Sequence, residues 1–199
     1  DGHLYENKER IKKLFREIVE GIWHIHQQGM IHRDLKCENI FLDSKDHVKI
    51  GDFGLATTSV LALQYQNNDT NQSMHAPKMS YGDSHTGQVG TALYCAPELS
   101  QKACKSTYNQ KVDIYSLGII FFEMNMPRFS TGMERIQTIL QLRQPEIVIP
   151  DLLLNDEKCK NDVEILQLLL NHNPSKRPTS EELLQSELMP AAKVEASEM

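Results

Sequence analysis

The chain has 199 residues, 40% of them hydrophobic and 24% charged, which is enough to bury the core of one globular domain or one large lobe. Its formal net charge of −6 argues against a general nucleic-acid binder or membrane-surface binder, because both need a basic face. No apolar run approaches the length that crosses a bilayer, and Asp1-Gly2-His3 shows no signal-peptide pattern. We therefore expect a cytoplasmic domain, and the missing initial Met indicates that it is cut from a longer chain.

Hydrophobic periodicity predicts a helix over residues 7–28, and Gly29 suits the left-handed position that ends a helix. Two short strands are predicted next, over 39–42 and 47–50, with turn residues between them. Four further helices are predicted downstream, and the first is apolar enough to be a buried central helix: 111–124, 133–142, 162–171 and 180–185.

The cysteines and a histidine pair give little support for a metal site. The four cysteines lack the C-x-x-C spacing of zinc sites and disulfide frameworks, so we expect reduced thiols: Cys37, Cys95, Cys104 and Cys159. His24 and His26 stand two positions apart on a predicted helix and point to different faces, which makes them a poor metal pair. We expect both histidines to have structural or surface roles.

One segment and a later tripeptide carry side chains suited to phosphoryl transfer. Residues 32–39 read H-R-D-L-K-C-E-N, and a D-F-G tripeptide begins at Asp52. This reaction needs a carboxylate to orient the attacking hydroxyl, oxygen ligands for Mg²⁺, and positive charge near the moving group. Asp34 can accept the hydroxyl proton and Lys36 can neutralise the phosphate. Asn39 and Asp52 supply the hard oxygen ligands that Mg²⁺ prefers.

These segments resemble the catalytic loop and the D-F-G motif of eukaryotic protein kinases. Three further motifs follow in the family's order: A-P-E at 96–98, D-x-[WYF]-S-x-G at 113–118, and a late arginine, Arg177. The ordered set covers roughly residues 7–190, whereas any one short motif alone would be weak. The resemblance implies a mainly α fold, the C-terminal lobe of a protein kinase with short β-hairpins at the active site and without the β-rich N-terminal lobe.

The resemblance assigns a role to each motif residue. It makes Asp34 and Lys36 catalytic, gives ATP and Mg²⁺ as cofactors held through Asn39 and Asp52, and places Phe41 under the adenine ring. The remaining motif residues have structural roles: His32 and Phe53 as spine residues tethered to Asp113, Gly54 completing D-F-G, and Glu98 paired with Arg177.

Two features of the motifs indicate the type of kinase and one departs from the family pattern. Lys36 is typical of serine/threonine kinases. Thr91 resembles the threonine whose hydroxyl bonds both Asp34 and Lys36, which fits a serine or threonine acceptor. Cys37 stands where most kinases have proline, so the loop loses a stiffening ring.

Residues 59–84 are rich in Gln, Asn, Ser and Asp, so we expect a disordered insert in an activation segment that spans 52–98. Thr86, just beyond the insert, resembles the activation-loop phosphorylation site. A phosphate there would pair with Arg33 and order the loop. Ser80 and Ser84 are alternatives for the same modification.

The finer resemblance is to the kinases of the α-subunit of translation initiation factor 2. It is carried by the polar insert and by residues 39–43, 48–56 and 85–91. The amino-acid-starvation branch, the general-control nonderepressible kinases, is most similar at residues 108–113, 169–174 and 186–190. The endoplasmic-reticulum stress kinase and the haem-regulated kinase are the nearest competitors.

In this group, the helix after the central one docks the substrate's globular domain. The resemblance places it at about 131–142 and makes Met133, Ile136 and Ile139 the docking residues. The alternative is that these apolar side chains belong to the core, and one helix can serve both purposes on different turns.

The sequence contains no G-x-G-x-x-G loop, V-A-I-K lysine or partner glutamate, all of which the kinase mechanism needs. We expect residues 1–190 to form a C-terminal lobe that is inactive alone, and residues 191–199 to begin a linker. The alternative is a non-catalytic pseudokinase or docking module. The resemblance also implies dimerisation through the missing lobe, and no direct nucleic-acid or membrane partner for this segment, although other regions of the parent protein could bind transfer RNA.

Overall fold

The computed structural model describes residues 4–58, 90–100 and 109–190. Within these ranges the fold is mainly helical, which confirms the predicted class. The helices are α1 (Lys8–Gln27), α2 (Pro97–Ser100), α3 (Lys111–Asn125), α4 (Gly132–Leu142), α5 (Asp151–Leu154), α6 (Lys160–Leu169) and α7 (Ser180–Gln185). Single 3-10 turns lie at Leu4–Glu6, Cys37–Asn39, Glu157–Cys159 and Pro174–Lys176. The strands are β1 (Met30–Ile31), β2 (Ile40–Leu42), β3 (Val48–Ile50) and β4 (Thr57–Thr58).

Helix α1 has clear start and stop signals. The Asn7 side chain caps it by accepting a hydrogen bond from the Arg10 backbone N–H at 3.0 Å. Its apolar stripe is buried, from Ile11 to Ile25. The chain leaves the helix through Gly29, whose φ of 70° is the left-handed conformation that glycine adopts without steric cost. The predicted helix and its predicted terminator are thus both confirmed.

Helix α3 runs through the centre of the molecule. Nearly all of its residues are buried, because α1 packs on it at Phe15–Phe121 (ring centroids 4.2 Å apart) and α6 packs on it from another side. A helix that is apolar all round is stable only when it is enclosed in this way. Its first turn carries Asp113, so the buried helix holds a carboxylate at a fixed position under the catalytic loop.

Two small antiparallel sheets frame that loop. Strand β1 pairs with β4, and β2 pairs with β3 in the register Ile40↔Ile50. The β2–β3 turn is closed by Asp43, whose carboxylate accepts hydrogen bonds from the Lys45 and His47 backbone N–H groups at 2.9 Å. The β2–β3 hairpin was predicted. The β1–β4 pair was not, because two-residue strands carry no alternation pattern.

Helix α4 corrects one of the docking residues. Met133 is 62% exposed and Ile136 is partly buried, but Ile139 is fully buried in the core. The expectation that Ile139 contacts a docked protein is therefore wrong, since it lies on the face of the helix that packs inwards. The short helices α2 and α5 were also missed, because four residues are too few to show helical periodicity.

Several expectations fall outside the described residues: the insert 59–84, the phosphorylation candidates Thr86, Ser80 and Ser84, Cys104, and the tail 191–199. The three described cysteines are free thiols, as predicted. No helix in the described ranges combines the length and apolar character needed to span a membrane.

Candidate active site

The catalytic loop gathers a carboxylate, an amide and an ammonium group around one point. The Asn39 side-chain amide donates to the Asp34 carbonyl oxygen at 2.7 Å and to Asp34 Oδ2 at 3.2 Å. Lys36 Nζ lies 3.1 Å from the same Oδ2. It also lies 3.4 Å from Thr91 Oγ1, which brings the segment around residue 91 to the loop. The structure thus shows the expected contact of Thr91 with Lys36, whereas the hydrogen bond also expected between Thr91 and Asp34 does not form among the described residues.

The two oxygens of Asp34 have different surroundings. Oδ2 is held by Lys36 and Asn39, whereas Oδ1 is buried and has no hydrogen-bond partner in the part of the chain that the structure describes. A buried carboxylate oxygen without a partner is costly, and such groups are expected where a ligand completes them. The contacts at Oδ2 fix the orientation of the Asp34 carboxylate beside Lys36 and Asn39.

Asp113 anchors the loop from below. Its Oδ2 accepts a hydrogen bond from the His32 backbone N–H at 2.8 Å, and its Oδ1 accepts one from the Arg33 backbone N–H at 2.9 Å. Arg33 has a φ of 69°, an unfavourable conformation for a non-glycine residue that these two bonds help to maintain. The tether expected for His32 is therefore present through its backbone.

His26 is a structural member of the site that the sequence did not reveal. Its Nε2 lies 2.9 Å from Asp113 Oδ2 and its Nδ1 lies 3.2 Å from Ser180 Oγ. It thereby links α1 and α7 to the carboxylate that holds the loop. The sequence predicted a structural or surface role for His26. Its burial and its contact with Asp113 show that the role is structural.

The D-F-G segment lies beside the loop. The Gly51 backbone N–H donates to the Asn39 carbonyl oxygen at 2.9 Å. Asp52 follows Gly51 directly, so this hydrogen bond brings its backbone close to Asn39. Asp52 has a φ of 57°, is exposed, and accepts a hydrogen bond from Gly54 N at 3.3 Å. The Phe53 ring lies 5.0 Å from the His32 ring, and that contact was implied by the resemblance.

The exposed apolar side chains at this edge are Phe41 (54%) and Phe53 (46%). Phe41 lies against Gly51, where an added Cβ would come within 2.8 Å of its ring. A larger residue at position 51 would therefore have to displace the exposed Phe41 ring. The close approach leaves the Phe41 ring as a flat apolar surface at the edge of the site, in the place that the resemblance implies for an adenine floor.

Asn39 and Asp52 are the residues that can hold a metal. The Asn39 amide nitrogen is committed to Asp34, which leaves its oxygen as a ligand. Among the described residues no group of three or more His, Cys, Asp or Glu side chains could hold a metal ion. Mg²⁺ commonly takes one or two protein ligands and completes its shell with phosphates and water, so this pair fits Mg²⁺ better than zinc.

A buried ion pair fixes the segment that follows. Arg177 is 1% exposed and binds Glu98 through two parallel bonds, Nη1–Oε1 at 2.7 Å and Nη2–Oε2 at 2.8 Å. Its guanidinium carbon also lies 4.9 Å above the Tyr115 ring centroid. The structure therefore brings together the two residues that the resemblance paired.

A second polar cluster, centred on Glu123, was not anticipated. The Glu123 carboxylate accepts hydrogen bonds from the Tyr94 hydroxyl, from Arg135 Nε and, at 3.4 Å, from the Cys37 thiol. Desolvation, with the negative charge of Glu123 as a further cause, raises the pKa of Cys37. Cys37, in the position of the family's proline, thus joins the catalytic loop to α3 by a weak hydrogen bond.

Comparison with known proteins agrees with this geometry. A family model described as the protein kinase domain matches residues 2–189. A human protein named eIF-2-alpha kinase GCN2 is 50% identical over 200 residues, which is all of this chain and 12% of the relative. A Schizosaccharomyces pombe protein of the same name is 46% identical over 178 residues, 89% of this chain and 11% of the relative. The mouse eukaryotic translation initiation factor 2-alpha kinase 1 is 43% identical over 178 residues, 88% of this chain and 26% of the relative. The chain therefore spans a small part of each relative's length.

Proposed function

This chain belongs to the protein kinase family and resembles its GCN2-like members, and on that premise we propose that the protein containing it phosphorylates a serine or threonine. The observation that carries the proposal is the pairing of Asp34 with Lys36 and Asn39, with Thr91 in contact with Lys36. A pseudokinase usually lacks at least one of the catalytic and metal-binding residues, whereas Asp34, Lys36, Asn39 and Asp52 are all present.

Each residue then has a chemical role. The Asp34 carboxylate accepts the proton of the attacking hydroxyl and orients it. Lys36, fixed between Asp34 and Thr91, supplies positive charge beside the transferred group. Asn39 and Asp52 would hold Mg²⁺, which would neutralise charge on the phosphates of ATP, the phosphoryl donor. The contact of Thr91 with Lys36 fits a serine or threonine acceptor.

We propose the α-subunit of translation initiation factor 2 as the substrate. The names of the relatives support this, since each describes a kinase of that subunit. The exposed side chain of Met133 on α4 is consistent with a docking surface away from the acceptor hydroxyl. We also infer that residues 1–199 alone do not transfer phosphate, because they contain neither a glycine-rich phosphate loop nor the lysine that pairs with the regulatory glutamate.

The test is a comparison of the full-length protein with its Asp34→Asn variant, using labelled ATP and the purified α-subunit. Loss of the base and orienting carboxylate should lower the rate by about 10²–10⁴-fold. An Arg128→Met variant is the control, because Arg128 is exposed and outside the described catalytic contacts. Equal incorporation by the wild-type and Asp34→Asn proteins would exclude the proposed mechanism. Activity on a generic serine peptide but not on the α-subunit would exclude the substrate alone.

A further inference from the structure

Helix α4 has two chemically different faces. The outer face is exposed and uncharged in its central part, with Met133, Gln137, Leu140 and Gln141. The inner face buries Ile139 and Leu142 in the core. Two arginines extend from this helix towards residues 93–95, Arg135 as its fourth residue and Arg143 as its C-cap. At eight residues apart, they leave the helix about 80° from each other around its axis.

Arg143 binds two backbone carbonyls of the segment that leads into A-P-E. Its Nη1 donates to the Leu93 carbonyl at 2.7 Å and to the Cys95 carbonyl at 2.6 Å. The same guanidinium stacks 5.4 Å from the Tyr115 ring centroid, and the Arg143 carbonyl accepts a hydrogen bond from His172 at 2.8 Å. The side chain is therefore held in one orientation by the core.

Arg135 binds the residue between those two carbonyls. Its Nη2 donates to the Tyr94 hydroxyl at 2.9 Å, while its Nε binds Glu123. The hydrogen bond to Glu123 raises the pKa of Arg135, so the cation persists at every accessible pH. The Tyr94 carbonyl is bound in turn by Ser116 Oγ at 2.9 Å. Residues 93, 94 and 95 thus have every carbonyl satisfied by a side chain rather than by a strand or helix partner.

Residues 93–95 are connected to the catalytic carboxylate of Asp34 through Thr91 and Lys36. Tyr94 N donates to the Thr91 carbonyl at 3.1 Å, and the Thr91 hydroxyl meets Lys36, which is paired with Asp34. Successive backbone turns hold residues 90–95 together, since Leu93 N, Tyr94 N and Cys95 N donate to the carbonyls of Gly90, Thr91 and Ala92. Thr91 is therefore linked through these turns to residues 93–95, which the two arginines of α4 bind.

We propose that Arg135 and Arg143 are positioning residues that set the geometry of Thr91 and Lys36 from helix α4, so that the seating of this helix controls the rate of phosphoryl transfer. The inference rests on the proposed kinase activity. It assigns to α4 a role in turnover that is separate from any contact of its outer face with a protein substrate.

The test uses steady-state kinetics of the full-length protein with the protein substrate and with a short serine peptide. Arg143→Met keeps the stacking volume but removes the donors, and Arg135→Gln removes the charge at a partly exposed site. Both should lower kcat by roughly ten- to a hundredfold on both substrates, as expected for a misplaced catalytic group, with little change in KM. Arg143→Lys should recover part of the loss. Arg128→Met is the matched control and should leave kcat unchanged.

Two further measurements separate positioning from a general loss of stability. Arg135→Gln removes the partner of the largely buried Glu123 carboxylate and should lower the melting temperature, so its kcat is measured well below that temperature, where the variant is folded, and should still fall. A double-mutant cycle with Tyr94→Phe should be non-additive in kcat, because Arg135 acts through the Tyr94 hydroxyl. By contrast, Met133→Lys on the outer face should raise KM for the protein substrate only.

The outcomes are distinguishable from those for the proposed function. If the wild-type protein is active and both arginine variants match Arg128→Met, or change only KM for the protein substrate, the positioning role is overturned and the kinase assignment stands. If the wild-type protein transfers no more phosphate than Asp34→Asn, the proposed function fails and this inference fails with it.

Discussion

The Asp34 side chain makes structural contacts within the catalytic loop and also supplies the proposed catalytic carboxylate. One of its oxygens is bonded to Lys36 and Asn39, and the other is buried without a partner among the described residues. The residue before it, Arg33, has a left-handed backbone that Asp113 helps to hold. Strain and an unpaired buried oxygen in adjacent residues both lower stability, and such features concentrate where a site is preorganised for reaction.

Cys37 lies in the same loop, and we expect it to react slowly with alkylating agents. Cys37 is exposed, but its thiol donates to the Glu123 carboxylate. Desolvation of the sulfur at this contact, with the negative charge of Glu123 as a further cause, raises the pKa of the thiol, so at any given pH less of the reactive thiolate is present than in a free peptide. At pH 8, its iodoacetamide reaction should be at least about tenfold slower than that of a reference peptide thiol, and should accelerate as the pH rises. Mass spectrometry of tryptic peptides measures this site by site, with Cys37→Ala as the control. A Cys37 reaction rate equal to that of the reference peptide would contradict the predicted slow alkylation.

At the scale of elements, α3 packs against the C-terminal end of α6 at Gly118, which has no side chain. A Cβ at Gly118 would lie 2.7 Å from Leu170 Cδ2 and 3.1 Å from Leu169 Cβ. Both leucines are fully buried, so neither can move aside freely. Gly118 is therefore required by packing, although glycine lowers the intrinsic stability of a helix.

We expect Gly118→Ala to destabilise the protein by about 1–3 kcal/mol through overpacking, despite the better helix propensity of alanine. Gly132→Ala is the matched control, because a Cβ there meets nothing within 4 Å. It should be neutral or stabilising by up to about 1 kcal/mol. Urea denaturation followed by circular dichroism gives both values. Similar effects of the two substitutions would show that the α3 contact does not limit side-chain size.

At the scale of the whole molecule, the Glu98–Arg177 pair joins segments that are 79 residues apart in sequence. Arg177 also donates to the backbone carbonyls of Asn171 at 2.6 Å and Lys111 at 2.9 Å. One buried guanidinium thus connects α2, the start of α3 and the loop after α6. Removing it would leave a partly buried carboxylate and two carbonyls without these donors.

Arg177→Met should therefore reduce the free energy of unfolding by about 3–5 kcal/mol, as is usual when one partner of a buried ion pair is deleted. Arg177→Lys should be intermediate, since an ammonium group cannot make the two parallel bonds. The exposed Arg128→Met change should alter stability by less than about 0.5 kcal/mol. Thermal denaturation of the three variants in the full-length protein is the measurement. An Arg177→Met protein as stable as the control would show that the pair adds no net stability.

The sequence by itself determined the long helices, the β2–β3 hairpin and the identity of the motif residues. Helical periodicity, cap residues and short motifs are local properties, so they can be read without knowing what lies across the fold. Only the tertiary structure showed which oxygen of Asp34 is unpaired and that His26 contacts Asp113. It also showed that Ile139 is buried and that Arg135 and Arg143 bind residues 93–95. These contacts of His26, Arg135 and Arg143 join residues 41 to 87 positions apart, whose distances no local pattern records. The contacts of Asp34 with Lys36 and Asn39 are close in sequence, but they depend on side-chain orientations that the sequence pattern does not specify.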